Sequence, residues 1–190
     1  MKFPAVIQYR HVHLSEKDAK ILFGKDCEFK ILKQIGHRGQ GVFTQTVNII
    51  GDSGIFEDVC VIGPWRSKTQ VELSASDAVA VGIDAPVRVS GDLLRSGSCI
   101  IKGPLGEVNA RSSVIIAARH LHCDKKVSNK LGVSQGDVVS LGCGTNKDIK
   151  FNHVTVRVHP TFSNELHISA DEAAENWIQS GDNLYICTED

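Results

Sequence analysis

Two tetrapeptides carry the closest spacing of chemistry-bearing residues in the chain. They are Arg10-His11-Val12-His13 and Arg119-His120-Leu121-His122, which lie 109 residues apart. In an extended strand, residues i and i+2 project to one face, so each His-x-His sets two imidazoles side by side, spaced to share a metal ion. A second pair of segments supplies a third ligand. Gln70-Val71-Glu72-Leu73-Ser74-Ala75-Ser76-Asp77-Ala78 aligns with Glu165-Leu166-His167-Ile168-Ser169-Ala170-Asp171-Glu172-Ala173 at an offset of 95, placing Glu72 where the later copy has His167. The repeat predicts two sites, His11/His13/Glu72 and His120/His122/His167, with exchange of a ligand between the halves left open. Three imidazole and carboxylate ligands, with one position left for water or substrate, form the pattern of catalytic zinc. Cobalt, nickel or iron also bind such donors. Arg66 and Lys68 precede Glu72 by six and four residues. A guanidinium beside a metal suits bidentate capture of phosphate, which makes Arg66 the stronger candidate of the two.

The elements that position these residues read as mainly β. Each His-x-His follows an apolar run, Ala5-Val6-Ile7 or Val114-Ile115-Ile116-Ala117-Ala118, of strand character. Each is followed by a helix start, capped by Ser15 or Asp124, with Gly24 and Gly132 suited to the helix ends. Ser74-x-x-Asp77 and Ser169-x-x-Glu172 are capping boxes at the ends of the third-ligand strands. Further short strands are predicted at 42–50, 59–62, 87–89, 100–101, 137–141, 154–158 and 184–187, and helices only near 15–23, 75–81, 124–131 and 170–178. The two offsets differ by 14 residues, so the second copy has lost that much loop between its motifs. The expected architecture is two similar small β-barrels related by internal duplication and capped by short α-helices. The first half is residues 1–107 and the second 108–190, tightly packed, with strands open to exchange between them.

Composition narrows the function. The 190 residues carry a net charge of −1 and 6% aromatic side chains, which disfavours broad binding of nucleic acid or an anionic membrane. No run approaches a spanning helix, and residues 1–10 lack a signal-peptide core. The six cysteines contain no C-x-x-C pair and read as reduced, cytoplasmic thiols. His37, His153 and His159 lie beside Gly, Asn and Pro and read as turn or solvated residues, with His159 on the strand leading toward His167. Phosphate-loop, dinucleotide and G-x-S-x-G motifs are missing from the sequence, which disfavours nucleotide hydrolases, NAD enzymes and α/β-hydrolases.

R-H-V-H-L-S, G-P-W-R-S-K-T-Q-V-E-L-S, A-P-V-R-V-S-G-D, A-A-R-H-L-H and L-H-I-S-A-D-E-A, in this order from about residue 6 to residue 178, resemble the PduL-type phosphate acyltransferases. The resemblance implies two β-barrels with helical caps and a dinuclear zinc site, two zinc ions per chain. It implies reversible transfer of a short acyl group between coenzyme A and inorganic phosphate, so acyl-CoA and phosphate are the expected partners, and a homodimer the expected assembly. Carried over by motif, the ligands are again His11, His13, Glu72, His120, His122 and His167. Arg66 matches the arginine that contacts phosphate, and Lys33 and Ser90 match positions of the coenzyme A pocket. Three departures, Cys60, Ala174 and Gln8-Tyr9, fall where coenzyme A is expected to bind. Only nine residues precede Arg10, too few for the amphipathic extension of members that enter microcompartments, so a cytoplasmic location is expected. Two other functions fit the ligands: a zinc hydrolase, which releases free acid without consuming phosphate, and a non-catalytic module holding structural zinc.

Overall fold

In the computed structural model, residues 1–35, 40–143 and 149–187 are described, and His37 lies outside them. Among the described residues, fourteen strands and four short helices follow one another. The run opens with β1 (Lys2–Gln8), β2 (His11–His13), α1 (Glu16–Phe23), β3 (Ile31–Gln34), β4 (Gly41–Ile50), β5 (Ile55–Gly63), β6 (Gln70–Leu73), α2 (Ala75–Val81) and β7 (Val87–Arg88). It continues with β8 (Gly97–Lys102), β9 (Glu107–Ala117), β10 (His120–Cys123), α3 (Lys125–Leu131), β11 (Val138–Cys143), β12 (Lys150–Val158), β13 (Glu165–Ser169), α4 (Ala170–Glu175) and β14 (Asn183–Ile186). No described helix is long and apolar enough to cross a membrane.

The chain divides into two compact units, Tyr9–Ala117 and the pair of segments Met1–Gln8 with Ala118–Asp190. In the first unit the strands close in the circuit β2-β5-β4-β8-β9-β6, with β3 and β7 attached outside it. In the second the closed barrel runs β1-β13-β10-β12-β11-β14. The two circuits have one topology. In each, the His-x-His strand runs antiparallel to the third-ligand strand and parallel to the strand before it in sequence. Registers coincide as well: His11 faces Cys60 and Glu72, and His120 faces Thr155 and His167.

The apolar run ahead of each His-x-His does not stay with its motif. β9, just before His120, pairs with β6 of the first unit, and β1, just before His11, pairs with β13 of the second. Backbone hydrogen bonding explains why each barrel needs that strand: without it two strand edges would be left unpaired. Most of the loop missing from the second copy falls between the first helix and the next barrel strand. In the first unit α1 and β4 are joined through residues 24–40 with the β3 arm, whereas α3 reaches β11 through residues 132–137.

The helix ends follow their sequence signals. Ser15, Ser74, Asp124 and Ser169 each accept a hydrogen bond from the backbone N–H three residues on, and Ser169 with Glu172 completes a capping box. Gly24 and Gly132 cap the ends of α1 and α3. α4 stops at Glu175, short of 178, because Asn176 closes it and Trp177 takes a left-handed φ of 55°. β5 begins at Ile55, earlier than expected, because its exposed Glu57 and Asp58 mask the strand pattern. The first core is built on Val12, Leu14, Ile49, Val61, Val71 and Ile101, and the second on Phe3, Leu121, Phe151, Val156, Leu166 and Leu184.

Candidate metal centres

Strand alternation decides which side chains meet. Val12 and Leu121 point into their barrels with no exposure, so the flanking histidines lie on the outer face of β2 and β10. There they are buried nonetheless, at 7% and 3% exposure for His11 and His13, and 3% and 7% for His120 and His122. The third ligand arrives by register, Glu72 opposite His11 and His167 opposite His120. His11, His13 and Glu72 form one group of donor atoms all within 4.8 Å of one another, and His120, His122 and His167 form a second. All six residues expected as ligands are thus brought into two triads, one in each unit.

Imidazole orientation is set by the backbone. His11 Nδ1 lies 2.8 Å from the Tyr9 carbonyl, His13 Nδ1 lies 3.0 Å from that of Ile62, and His120 Nδ1 lies 2.9 Å from that of Ala118. A carbonyl accepts only, so each Nδ1 carries the proton and each Nε2 keeps its lone pair for a ligand. Burial, followed by the neighbouring His11 and Arg66, pushes the His13 pKa down to about 3, so its imidazole is neutral near pH 7. For Glu72, burial acts upward, but His11, His13, the Ser90 hydroxyl and Arg66 outweigh it and hold the carboxyl below the usual carboxylate range. His13 and Glu72 thus stand in the protonation states that binding a metal requires.

Two of the buried donor atoms have no hydrogen-bond partner: Glu72 Oε2 and His167 Nε2. Glu72 Oε2 stands 3.6 Å from His11 Nε2, and His167 Nε2 stands 3.7 Å from Glu165 Oε2. Burying such atoms unbonded costs about 1–3 kcal/mol each, a cost that a cation coordinated at those atoms removes. The donor set of imidazole nitrogen and carboxylate oxygen fits zinc.

The two surroundings differ. Arg66 reaches the first triad from a loop after β5, where Trp65 packs edge-on against Phe29 at 4.6 Å. Its backbone N–H donates to the Leu14 carbonyl at 2.9 Å, Nη1 donates to Ser90 Oγ at 3.1 Å, and Nη2 lies 3.9 Å from Glu72 Oε1. Ser90 therefore sits against the first triad, donating to Glu72 Oε1 at 2.7 Å. Lys33 is exposed on the β3 arm, and Lys68 donates to the Ser112 carbonyl. At the second triad the His122 ring stacks on Phe162 at 4.0 Å, and the His120 and His167 rings stack at 4.8 Å. His159 is exposed and bonded to Thr161, and Cys60 is exposed in register with His11. A cavity of about 810 Å³ in the second unit, lined by Lys2, Trp177 and Tyr185 among others, includes no triad residue.

Sequence reasoning missed two residues here. Gln70 donates to Glu72 Oε1 at 2.5 Å, and Glu165 faces His122 in the equivalent position. Period-two alternation was the available signal, because each lies two residues before a third ligand and so on its face.

The phosphate propanoyltransferase family matches this chain over residues 4–179. Among its relatives, the phosphate propanoyltransferase of Shewanella putrefaciens is 42% identical over 179 residues, 94% of this chain and 84% of the relative. That of Thermotoga maritima is 39% identical over 95% of this chain and 86% of the relative, and that of Salmonella typhimurium 39% over 90% and 81%. With a match spanning both units and both triads, the chain belongs to the phosphate propanoyltransferase family of acyltransferases.

Proposed function

We propose that this protein catalyses acyl-CoA + phosphate ⇌ acyl phosphate + CoA on a short acyl group, with one zinc ion held by each triad. The observation that carries the reading is the pair of repeat-related triads, each with a buried donor atom that no hydrogen bond satisfies, in a chain of this family. His11, His13 and Glu72 would hold one ion, and His120, His122 and His167 the other. Zinc in such sites supplies Lewis acidity toward a carbonyl or phosphoryl oxygen.

The chain's own groups then have defined tasks. Phosphate is a poor nucleophile in water because its charge is strongly hydrated. Arg66 binds it through the planar guanidinium, replaces part of that hydration and orients one oxygen toward the thioester carbonyl. Ser90 keeps the guanidinium in place and, by the family resemblance, borders the coenzyme A pocket with Lys33. A thiolate leaves readily, so no strong general acid is required at the sulfur. A covalent acyl-cysteine is unnecessary, and burial pushes the thiols of Cys99 and Cys123 up to about 12 and about 11, which keeps them protonated.

Elemental analysis tests the metal assignment. Close to two zinc ions per chain are expected in the wild type and close to one in His120→Ala, with turnover lost in the variant and after dialysis against a chelator. A metal-free wild type that zinc or cobalt does not activate would overturn the assignment.

A further inference from the structure

Gln70 is 1% exposed on β6, across from His13, and both ends of its amide are used. Its Oε1 accepts from the Gly91 backbone N–H at 2.9 Å, while its Nε2 donates to Glu72 Oε1 at 2.5 Å and to Ser90 Oγ at 3.0 Å. These partners fix the amide's orientation, because the Gly91 N–H can only donate and the Glu72 carboxylate can only accept. Ser90 adds a second donor to Glu72 Oε1 at 2.7 Å. One oxygen of Glu72 is thus doubly bonded, and the other, Oε2, is buried with no hydrogen bond and faces His11 Nε2 at 3.6 Å.

We propose that Gln70, together with Ser90, is a positioning element for the first metal site. The two donors occupy Glu72 Oε1, leave Oε2 as the ligand atom, and tether the segment around Ser90 and Gly91 to the triad. Occupancy of the site and seating of that segment are therefore coupled. Hydrogen bonds from outer groups of this kind orient carboxylate ligands and govern metal affinity. The coupling belongs to the first unit alone. In the second unit α4 reaches β14 through residues 176–182 without a counterpart of β7, and the position of Gln70 is taken by Glu165. The repeat thus pairs an amide donor with a carboxylate ligand in one half and an acid with an imidazole ligand in the other.

The inference rests on the metal reading above, and the test separates the two. Full-length wild type, Gln70→Met, Ser90→Ala and Ser90→Thr are loaded with zinc and titrated with a competing chelator. Amide exchange of the peptide spanning Gly91 is followed with and without zinc. In the wild type two ions bind, and the Gly91 peptide exchanges more slowly with zinc than without. In Gln70→Met one of the two ions should be held 10- to 100-fold more weakly, with fast exchange at Gly91 even when loaded. Ser90→Ala should weaken the same ion by a smaller factor and Ser90→Thr should restore it, which keeps the test open should Gln70→Met not fold. Two wild-type affinities in Gln70→Met or in Ser90→Ala, or Gly91 exchange indifferent to zinc in the wild type, would overturn the positioning role while leaving the metal reading intact. A wild type that binds no zinc would overturn both.

Discussion

Replacing Arg66 by alanine separates a phosphate-binding guanidinium from a structural one. The residue is anchored twice: its N–H donates to Leu14, and Nη1 donates to Ser90 Oγ at 3.1 Å. Its side chain keeps 27% exposure beside a triad that is almost fully buried, so a held fork is presented where an anion can reach it. Loss of one charge-assisted contact in such a site costs about 2–4 kcal/mol of transition-state stabilisation, roughly 30- to 1000-fold in rate. Initial rates of thiol release, measured against phosphate at saturating acyl-CoA, should show a higher KM for phosphate, a lower kcat, or both. Arg66→Lys should recover only part of the loss, because an ammonium keeps the charge without the planar fork. Zinc content should remain near two per chain, since Arg66 is not a ligand. Unchanged phosphate kinetics in Arg66→Ala would refute the assignment and reduce the residue to a support for Ser90.

Three further outcomes follow from burial and capping. Buried Cys99 and Cys123, their thiols pushed up to about 12 and about 11, should resist iodoacetamide at pH 8 in the native protein, whereas exposed Cys60 should be labelled; mass spectrometry of the peptides reads this directly. His13 stays neutral in the folded chain down to about pH 3 but takes up a proton below about 6.5 when unfolded, so chelator-treated protein should lose stability as pH falls through that window. Its share by pH 5 is about 2 kcal/mol, and a urea midpoint that does not move between pH 7 and pH 5 would contradict it. Ser169→Ala removes the α4 capping box and should cost about 1 kcal/mol, a fall of about 2–4 °C in Tm by calorimetry.

The parts of this structure legible in sequence are those written in local pattern. The i, i+2 spacing gave two imidazoles per strand, and the Glu72/His167 alignment gave the third member of each triad, because register is preserved when a whole barrel is duplicated. Caps were legible for the same reason, since Ser15 and Asp124 act within one turn. Long-range pairing was not. Nothing local marks β1 as the neighbour of β13, because an apolar run pairs equally well with either barrel's open edge. The β3 arm escaped notice because its Ile31-Leu32-Lys33-Gln34 is exposed throughout and lacks the half-buried alternation that signals a strand. The resemblance implies only that Ser90 borders the coenzyme A pocket, and its bond to Glu72 depends on a loop closure that spacing does not encode.

Acyl transfer is tested most directly by product analysis of the zinc-loaded protein with acetyl-, propionyl- and butyryl-CoA, with and without inorganic phosphate. Thiol release should require phosphate, and acyl phosphate, trapped with hydroxylamine as the hydroxamate, should appear in equal amount to the CoA released. Release of free acid at the same rate whether or not phosphate is present would contradict the assignment and identify a metal-dependent hydrolase instead.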